Sequence, residues 1–175
     1  MLFRSISKNE LKDLFELINN SPKNWDDQEH LKNMKKDKEK YNSFWSNRLL
    51  IIENNSTMKS INDRIHSLFD LKKYEVHKFS KIMRYFPGDS LALHNDDGYS
   101  KEMKMSIVFY LNDDYNGGEI YFDKLNFNIK QRAGSMLIFP SNEEFTHCVK
   151  EIQEGPIRYV STIFIFQNSL NHDGI

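Results

Sequence analysis

From Tyr74 onward the sequence breaks into short apolar runs separated by turn residues, and this rhythm restricts the fold more than any other feature. Strand-like runs occupy 74–85, 90–94, 103–112, 119–123, 127–131, 135–139, 146–152 and 157–167. They are rich in Ile, Val, Phe and Tyr, and most are too short for a helix of ordinary length. Between them stand Pro87-Gly88-Asp89, Asn112-Asp113-Asp114, Asn116-Gly117-Gly118, Ala133-Gly134 and Gly155-Pro156, residues that supply the backbone angles of tight turns. Strand following strand with no helix between them argues against a βαβ sheet. It predicts a sandwich or barrel.

The first 70 residues have a different texture. Ser7-Lys8-Asn9-Glu10 reads as a capping box, and Leu11, Leu14, Phe15 and Ile18 follow at helical spacing, predicting a helix over about 8–19. Asn19-Asn20-Ser21-Pro22 stops it. A second helical period runs from Asp26 to Trp45 through Leu31, Met34, Tyr41, Phe44 and Trp45. Its lysines (32, 35, 36, 38 and 40) are interleaved with Glu29, Asp37 and Glu39, which marks a solvated face, not a surface for an anionic partner. Residues 48–53 suit a short strand. Met58, Ile61, Ile65, Leu68 and Phe69 predict another amphipathic helix, capped by Ser56 or Thr57. The expected architecture is α+β, mainly β: one domain over 1–175, with a helical part over about 1–70 packed outside a β core over about 74–167.

Composition narrows the function classes. At 175 residues the chain can bury roughly 70% of its unfolded surface. The net charge is −1 and the pI about 6.6, so nothing calls for nucleic acid or an anionic membrane. The most apolar stretch, Tyr159–Phe166, is far below the length of a membrane span, and the first residues lack the apolar run of a signal peptide. Cys148 is the single cysteine, so no intrachain disulfide forms. A cytoplasmic protein is the expectation.

His94 and Asp96 carry the first chemical signal. On an extended strand, positions i and i+2 point to one face, so an imidazole and a carboxylate would be presented together. A second histidine would complete a facial triad of two histidines and one carboxylate, which leaves half of a metal's coordination sphere open. His147, at the start of the run after the 140–145 loop, is the candidate. Asp97 on the same strand would face the other way. His-x-Asp alone is common by chance, so its place beside the Asp97-Gly98 turn matters more than the pattern itself. His30, His66, His77 and His172 read as structural or solvent-facing, and Cys148, next to His147, reads as a buried structural thiol pointing away from it. Arg158 opens an otherwise apolar strand. It either escapes to solvent at the strand end or serves as a bidentate clamp for a carboxylate. Tyr110 could share that carboxylate, or could be ordinary aromatic core.

Taken in order, Arg84-Tyr85, Gly88, His94-x-Asp96, Ser106 through Asn112, Gly117-Gly118-Glu119, Phe122, Ser135 through Phe139, His147 and Gly155-x-x-Arg158 closely resemble the prolyl 4-hydroxylase-like Fe(II)/2-oxoglutarate dioxygenases. The resemblance covers about half the chain. It implies a double-stranded β-helix of the jelly-roll, cupin-like kind with flanking N-terminal helices. It also implies that His94, Asp96 and His147 hold Fe(II), that Arg158 and Tyr110 bind the far carboxylate of 2-oxoglutarate, and that Tyr85 lines the co-substrate or substrate pocket. The arginine, where collagen-type members carry a lysine, makes the chain look more like the hypoxia-sensing branch. Leu91 departs from the pattern, since many members have a second tyrosine there. The implied cofactors are Fe(II), 2-oxoglutarate, O2 and ascorbate, and the implied reaction couples decarboxylation to succinate with C–H hydroxylation.

A polypeptide segment, most naturally one containing proline, is the expected substrate. Residues 41–48, 97–104 and 113–116 are expected to form its selecting surface. Three other readings stand beside this one. An AlkB-like nucleic-acid demethylase would carry a further arginine after Arg158, and Arg158 is the last in the chain. A hydroxylase of a small molecule or free amino acid shares the same site residues. A cupin-like binding module would leave the complete residue set unexplained.

Overall fold

Strands β6 (Met103–Tyr110) and β13 (Arg158–Gln167) form the spine of the molecule. The computed structural model describes residues 2–21, 25, 48–52, 55–98 and 100–168. The helix expected over 26–45, His30, His172 and most of the 41–48 surface lie outside them. Around the spine the larger sheet runs β1 (Leu2–Arg4), β10 (Ser135–Pro140), β6, β13, β4 (Lys81–Tyr85) and β2 (Leu49–Ile51), with β3 (Tyr74–Val76) also paired to β13. A smaller sheet has the order β5 (Leu91–His94), β11 (His147–Val149), β8 (Ile120–Phe122) and β9 (Phe127–Ile129). A two-stranded ribbon joins β7 (Asn116–Gly117) to β12 (Ile152–Glu154). Every pairing is antiparallel. Two antiparallel sheets packed across a shared core give the expected jelly roll.

The larger sheet is covered on both faces, which explains why its strands read as unbroken apolar runs. Alternation along β6 sends Ile107 and Phe109 to one side and Val108 and Tyr110 to the other. On the first side they meet Leu14 and Ile18 of α1 (Lys8–Asn20) and Met58, Ile61 and Ile65 of α2 (Ser56–His66). On the second, Val108, Leu137, Phe139 and Val160 face Ile120, Phe122 and Val149 of the smaller sheet. Arg158 shares the parity of Val160 and therefore points between the sheets, not to solvent.

Local chemistry fixes the helices. The Ser7 side chain accepts from the Glu10 amide, and the Glu10 carboxylate accepts from the Ser7 amide at 2.9 Å, so the expected capping box forms. The expected cap of α2 is corrected: Asn55 caps it, its side chain accepting from the Met58 amide at 3.0 Å, and Ser56 and Thr57 are already helical. That helix stops at His66, before Leu68 and Phe69, and Leu68 is exposed.

Two expected runs divide. Residues 74–85 separate into β3 and β4, which pair with opposite ends of β13. Residues 146–152 separate into β11 and β12, which belong to different sheets. Strand β1, which the amphipathic signals did not reveal, forms by pairing with β10.

Gly117 and Gly118 are required by close approach. Both have positive φ, and a Cβ on Gly117 would lie 2.0 Å from the Glu151 carbonyl oxygen. Gly117→Ala is expected to lower unfolding stability by at least about 2 kcal/mol, read by denaturant titration. A second prediction concerns pH. Burial alone would raise the Glu10 carboxyl, but its bonds to Arg64 and Ser7 outweigh this and bring it to about 2. A depressed folded value contributes stability that is present above about 4.5 and lost as pH falls towards 2. Glu10→Gln is expected to flatten the stability–pH curve in that window, measured by thermal melts across pH.

Candidate metal and anion site

The metal-ligating side chains are assembled by strand register and one tight turn. His147 lies directly opposite His94 in the β5–β11 ladder, and directly paired residues share a face. Their ring centroids are 4.4 Å apart. The expected route for Asp96 is corrected: β5 ends at His94, and Asp96 opens a 3-10 turn, Asp96–Gly98. The turn, not an extended i, i+2 spacing, brings the carboxylate back to the histidines. Asp96 Oδ1 lies 3.6 Å from His94 Nε2 and Asp96 Oδ2 lies 4.0 Å from His147 Nε2. One donor atom from each of the three residues falls within 4.8 Å of the others.

The surroundings prepare these groups as ligands. His94 Nδ1 is 2.7 Å from the Ala92 carbonyl oxygen, and His147 Nδ1 is 2.9 Å from that of Phe145. A carbonyl only accepts, so each Nδ1 carries the hydrogen and each Nε2 presents a lone pair to the site. Burial pushes the His147 ring below its ordinary value, although Asp96 pulls the other way, so the neutral, ligating form is favoured. Phe139 and Phe122 hold that ring with centroids at 4.9 and 5.6 Å. Asp96 accepts a hydrogen bond from the Ser106 hydroxyl, and Ser106 is bonded in turn to Ser141 at 2.8 Å. Both serines are fully buried.

A buried cation, Arg158, forms a second group between the sheets. Arg158 is 1% exposed and pairs in register with Tyr85. Its guanidinium carbon stands 4.6 Å from the Tyr85 ring centroid and 5.8 Å from that of Tyr110. Arg158 Nε and Nη1 and the hydroxyls of Tyr110 and Tyr115 are buried with no hydrogen-bond partner. Among the described residues no carboxylate forms an ion pair with Arg158. Burial pushes the hydroxyls of Tyr85, Tyr110 and Tyr115 up, Tyr115 to about 12, against the opposing pull of Arg158. All three therefore stay protonated at neutral pH and can donate. Arg158 is close enough to act on Tyr115 electrostatically, but no well-aligned bond joins them. Gly118 makes room for this cluster, since a Cβ there would come within 3.1 Å of Tyr115 Cε2 and 3.2 Å of Arg158 Cδ.

Of the six residues singled out from sequence, the structure brings His94, Asp96 and His147 together in one group and Arg158, Tyr110 and Tyr85 together in another. His66 ends α2 and His77 stacks on Phe166 at 4.5 Å, both away from the site. Cys148 is half-buried, not buried as expected. It follows His147 on β11, and alternation turns it to the other face. Sequence reasoning missed Ser141 and Tyr115. Ser141 sits in a loop with no pattern to mark it, whereas Tyr115, three positions before Gly118, had the signal of an aromatic beside a Gly-Gly step.

Residues 80–166 match the 2OG-Fe(II) oxygenase superfamily. A PKHD-type hydroxylase from Synechococcus sp. (strain CC9902) is 35% identical over 80 residues, covering 42% of this chain. The match spans only 35% of that relative's length. A viral collagen prolyl hydroxylase from Paramecium Bursaria Chlorella virus-1, solved with 2OG, superposes with a TM-score of 0.69 at 16% identity, covering 97% of this chain and 96% of that one. A Pseudomonas putida prolyl-4-hydroxylase gives 0.65 at 15% identity, with 97% and 92% covered. A Trichoplax adhaerens prolyl hydroxylase, solved with a hypoxia inducible factor peptide fragment, gives 0.51 at 22% identity, with 67% and 61% covered.

Removing the hydroxyl that orients Asp96 is expected to weaken metal binding. Ser106→Ala should raise the Kd for Co(II) or Mn(II) roughly 10–100-fold with the far-ultraviolet spectrum unchanged, measured by metal titration.

Proposed function

From the match of residues 80–166 to the 2OG-Fe(II) oxygenase superfamily, we propose that this chain is an Fe(II)- and 2-oxoglutarate-dependent dioxygenase that hydroxylates a polypeptide segment, most naturally at proline. The observation that carries the reading is the presence of two incomplete groups bordering one buried cluster between the sheets. One is a two-histidine, one-carboxylate donor set, and the other is a buried guanidinium with unpaired donors. A charge buried in an apolar layer is costly unless paired, so the pocket is built for an anion.

In this reading His94, Asp96 and His147 hold Fe(II) on one face, leaving the opposite coordination positions open. Arg158 clamps the far carboxylate of 2-oxoglutarate through its in-plane donors, and Tyr110 and Tyr85 add hydroxyl donors beside it. Ser106 fixes the rotamer of Asp96, and the two backbone carbonyls fix the histidine tautomers. Val108, Leu137, Phe139 and Val160 keep the space between the sheets dry. When bound, Fe(II), 2-oxoglutarate and O2 supply C–H hydroxylation coupled to release of succinate and carbon dioxide, with ascorbate keeping the iron reduced. The substrate assignment is supported by the likeness to structures named as prolyl hydroxylases, one of them holding a peptide. The single cysteine supports a cytoplasmic setting.

The test is purified protein with Fe(II), ascorbate and 2-oxoglutarate, assayed for succinate and for peptide products heavier by one oxygen atom. His147→Ala should abolish both. Arg158→Met should weaken 2-oxoglutarate binding by at least about 100-fold while leaving the ligand-free fold equally or more heat-stable. Absence of succinate and of 2-oxoglutarate binding in the unaltered protein would refute the reading.

A further inference from the structure

The rim of the smaller sheet carries an apolar residue that the metal and anion groups do not use. His94 is the last residue of β5, His147 the first of β11, Phe122 the last of β8 and Phe127 the first of β9. Register links them in one row: His94 opposite His147, His147 opposite Phe122, and Phe122 opposite Phe127. Directly paired residues share a face, so Phe127 stands on the metal-binding face at the same end of the sheet. Phe122 is buried beneath Phe139 and Phe145, yet Phe127 is 55% exposed and Leu125, at the hairpin tip, is 48% exposed.

This exposure is held in place. The Asp123 amide donates to the Thr146 carbonyl at 3.0 Å, tying the β8–β9 hairpin to the residue before His147. Asn126 takes a positive φ and receives a bond from the Tyr121 hydroxyl, which sets the turn. Lys124 and Glu143 form an exposed ion pair at 3.9 Å that ties the hairpin tip to the 143–145 turn.

We propose that Phe127, with Leu125, is a specificity-determining lip that receives an apolar side chain of an extended polypeptide substrate. The inference rests on the dioxygenase reading above. Spacing selects the occupant: two strand separations put Phe127 roughly 10 Å from His147, and an extended chain advances about 3.3 Å per residue. The contacted side chain therefore lies two or three residues from the one oxidised, a reach that a free amino acid does not have.

The experiment is affinity selection of a random peptide library with a fixed central proline, on Mn(II)-loaded protein holding an unreactive 2-oxoglutarate analogue. The expected result is enrichment of apolar residues two or three positions to one side of the proline. Phe127→Ser should reduce that enrichment about tenfold, Phe127→Leu should retain it, and Leu93→Ser, an exposed apolar residue on the opposite face of β5, should leave it intact. Capture of no peptide, capture without that preference, or a preference that survives Phe127→Ser would overturn the lip. Enrichment without hydroxylation when Fe(II), O2 and 2-oxoglutarate are supplied would instead overturn the reaction and leave the lip standing.

Discussion

The buried guanidinium of Arg158 is the interaction on which the interior of this protein turns. Among the described residues two of its donors have no hydrogen-bond partner, and the hydroxyls of Tyr110 and Tyr115 beside it have none either. Ordinary cores avoid such a group because desolvating a charge is expensive. Here β13 begins with it, and strand parity leaves it no route to water. The surrounding sequence accommodates it: Gly118 gives up its side chain to make room, and Tyr85 supplies a ring face against the cation. The fold carries an electrostatic debt that a small dianion entering between the sheets would settle.

The metal-ligating end is built by a different economy. There Asp96 is oriented by a hydrogen bond from Ser106, itself bonded to Ser141, and each histidine is tied to a backbone carbonyl. Preorganisation of this kind lowers the entropy lost when a ligand arrives. The two ends therefore differ in kind: one is oriented in advance, the other is held in want of a partner.

Much of this was legible in the sequence, for identifiable reasons. Short β-branched and aromatic runs separated by Gly, Pro, Asn and Asp gave the strands, and the Ser7–Glu10 box gave the first helix, because both signals are local. Ordered spacing picked out His94, Asp96 and His147, which the fold brings together, and Arg158, which it buries between the sheets. What was not legible depended on tertiary pairing. Strand β1 exists because β10 offers it an edge. Asp96 reached its place through a 3-10 turn that the His-x-Asp pattern does not encode, so the residue was right and the geometry assigned to it was not. Ser141 and Tyr115 matter only through neighbours distant in sequence, and Asn55 displaced two equally plausible caps by a single residue.

The outer strands of the larger sheet have a consequence of another sort. Its inner members reach ten residues, but the two that end it, β1 and β2, have three each. A free sheet edge offers unpaired amides and carbonyls to any neighbouring chain, and the length of that edge sets how strong such a template is. Among the described residues the long, apolar sheet thus ends on short ladders, and Leu50 of β2 already bridges to Trp25. A short ladder is a weak template for a second chain, independently of the chemistry between the sheets.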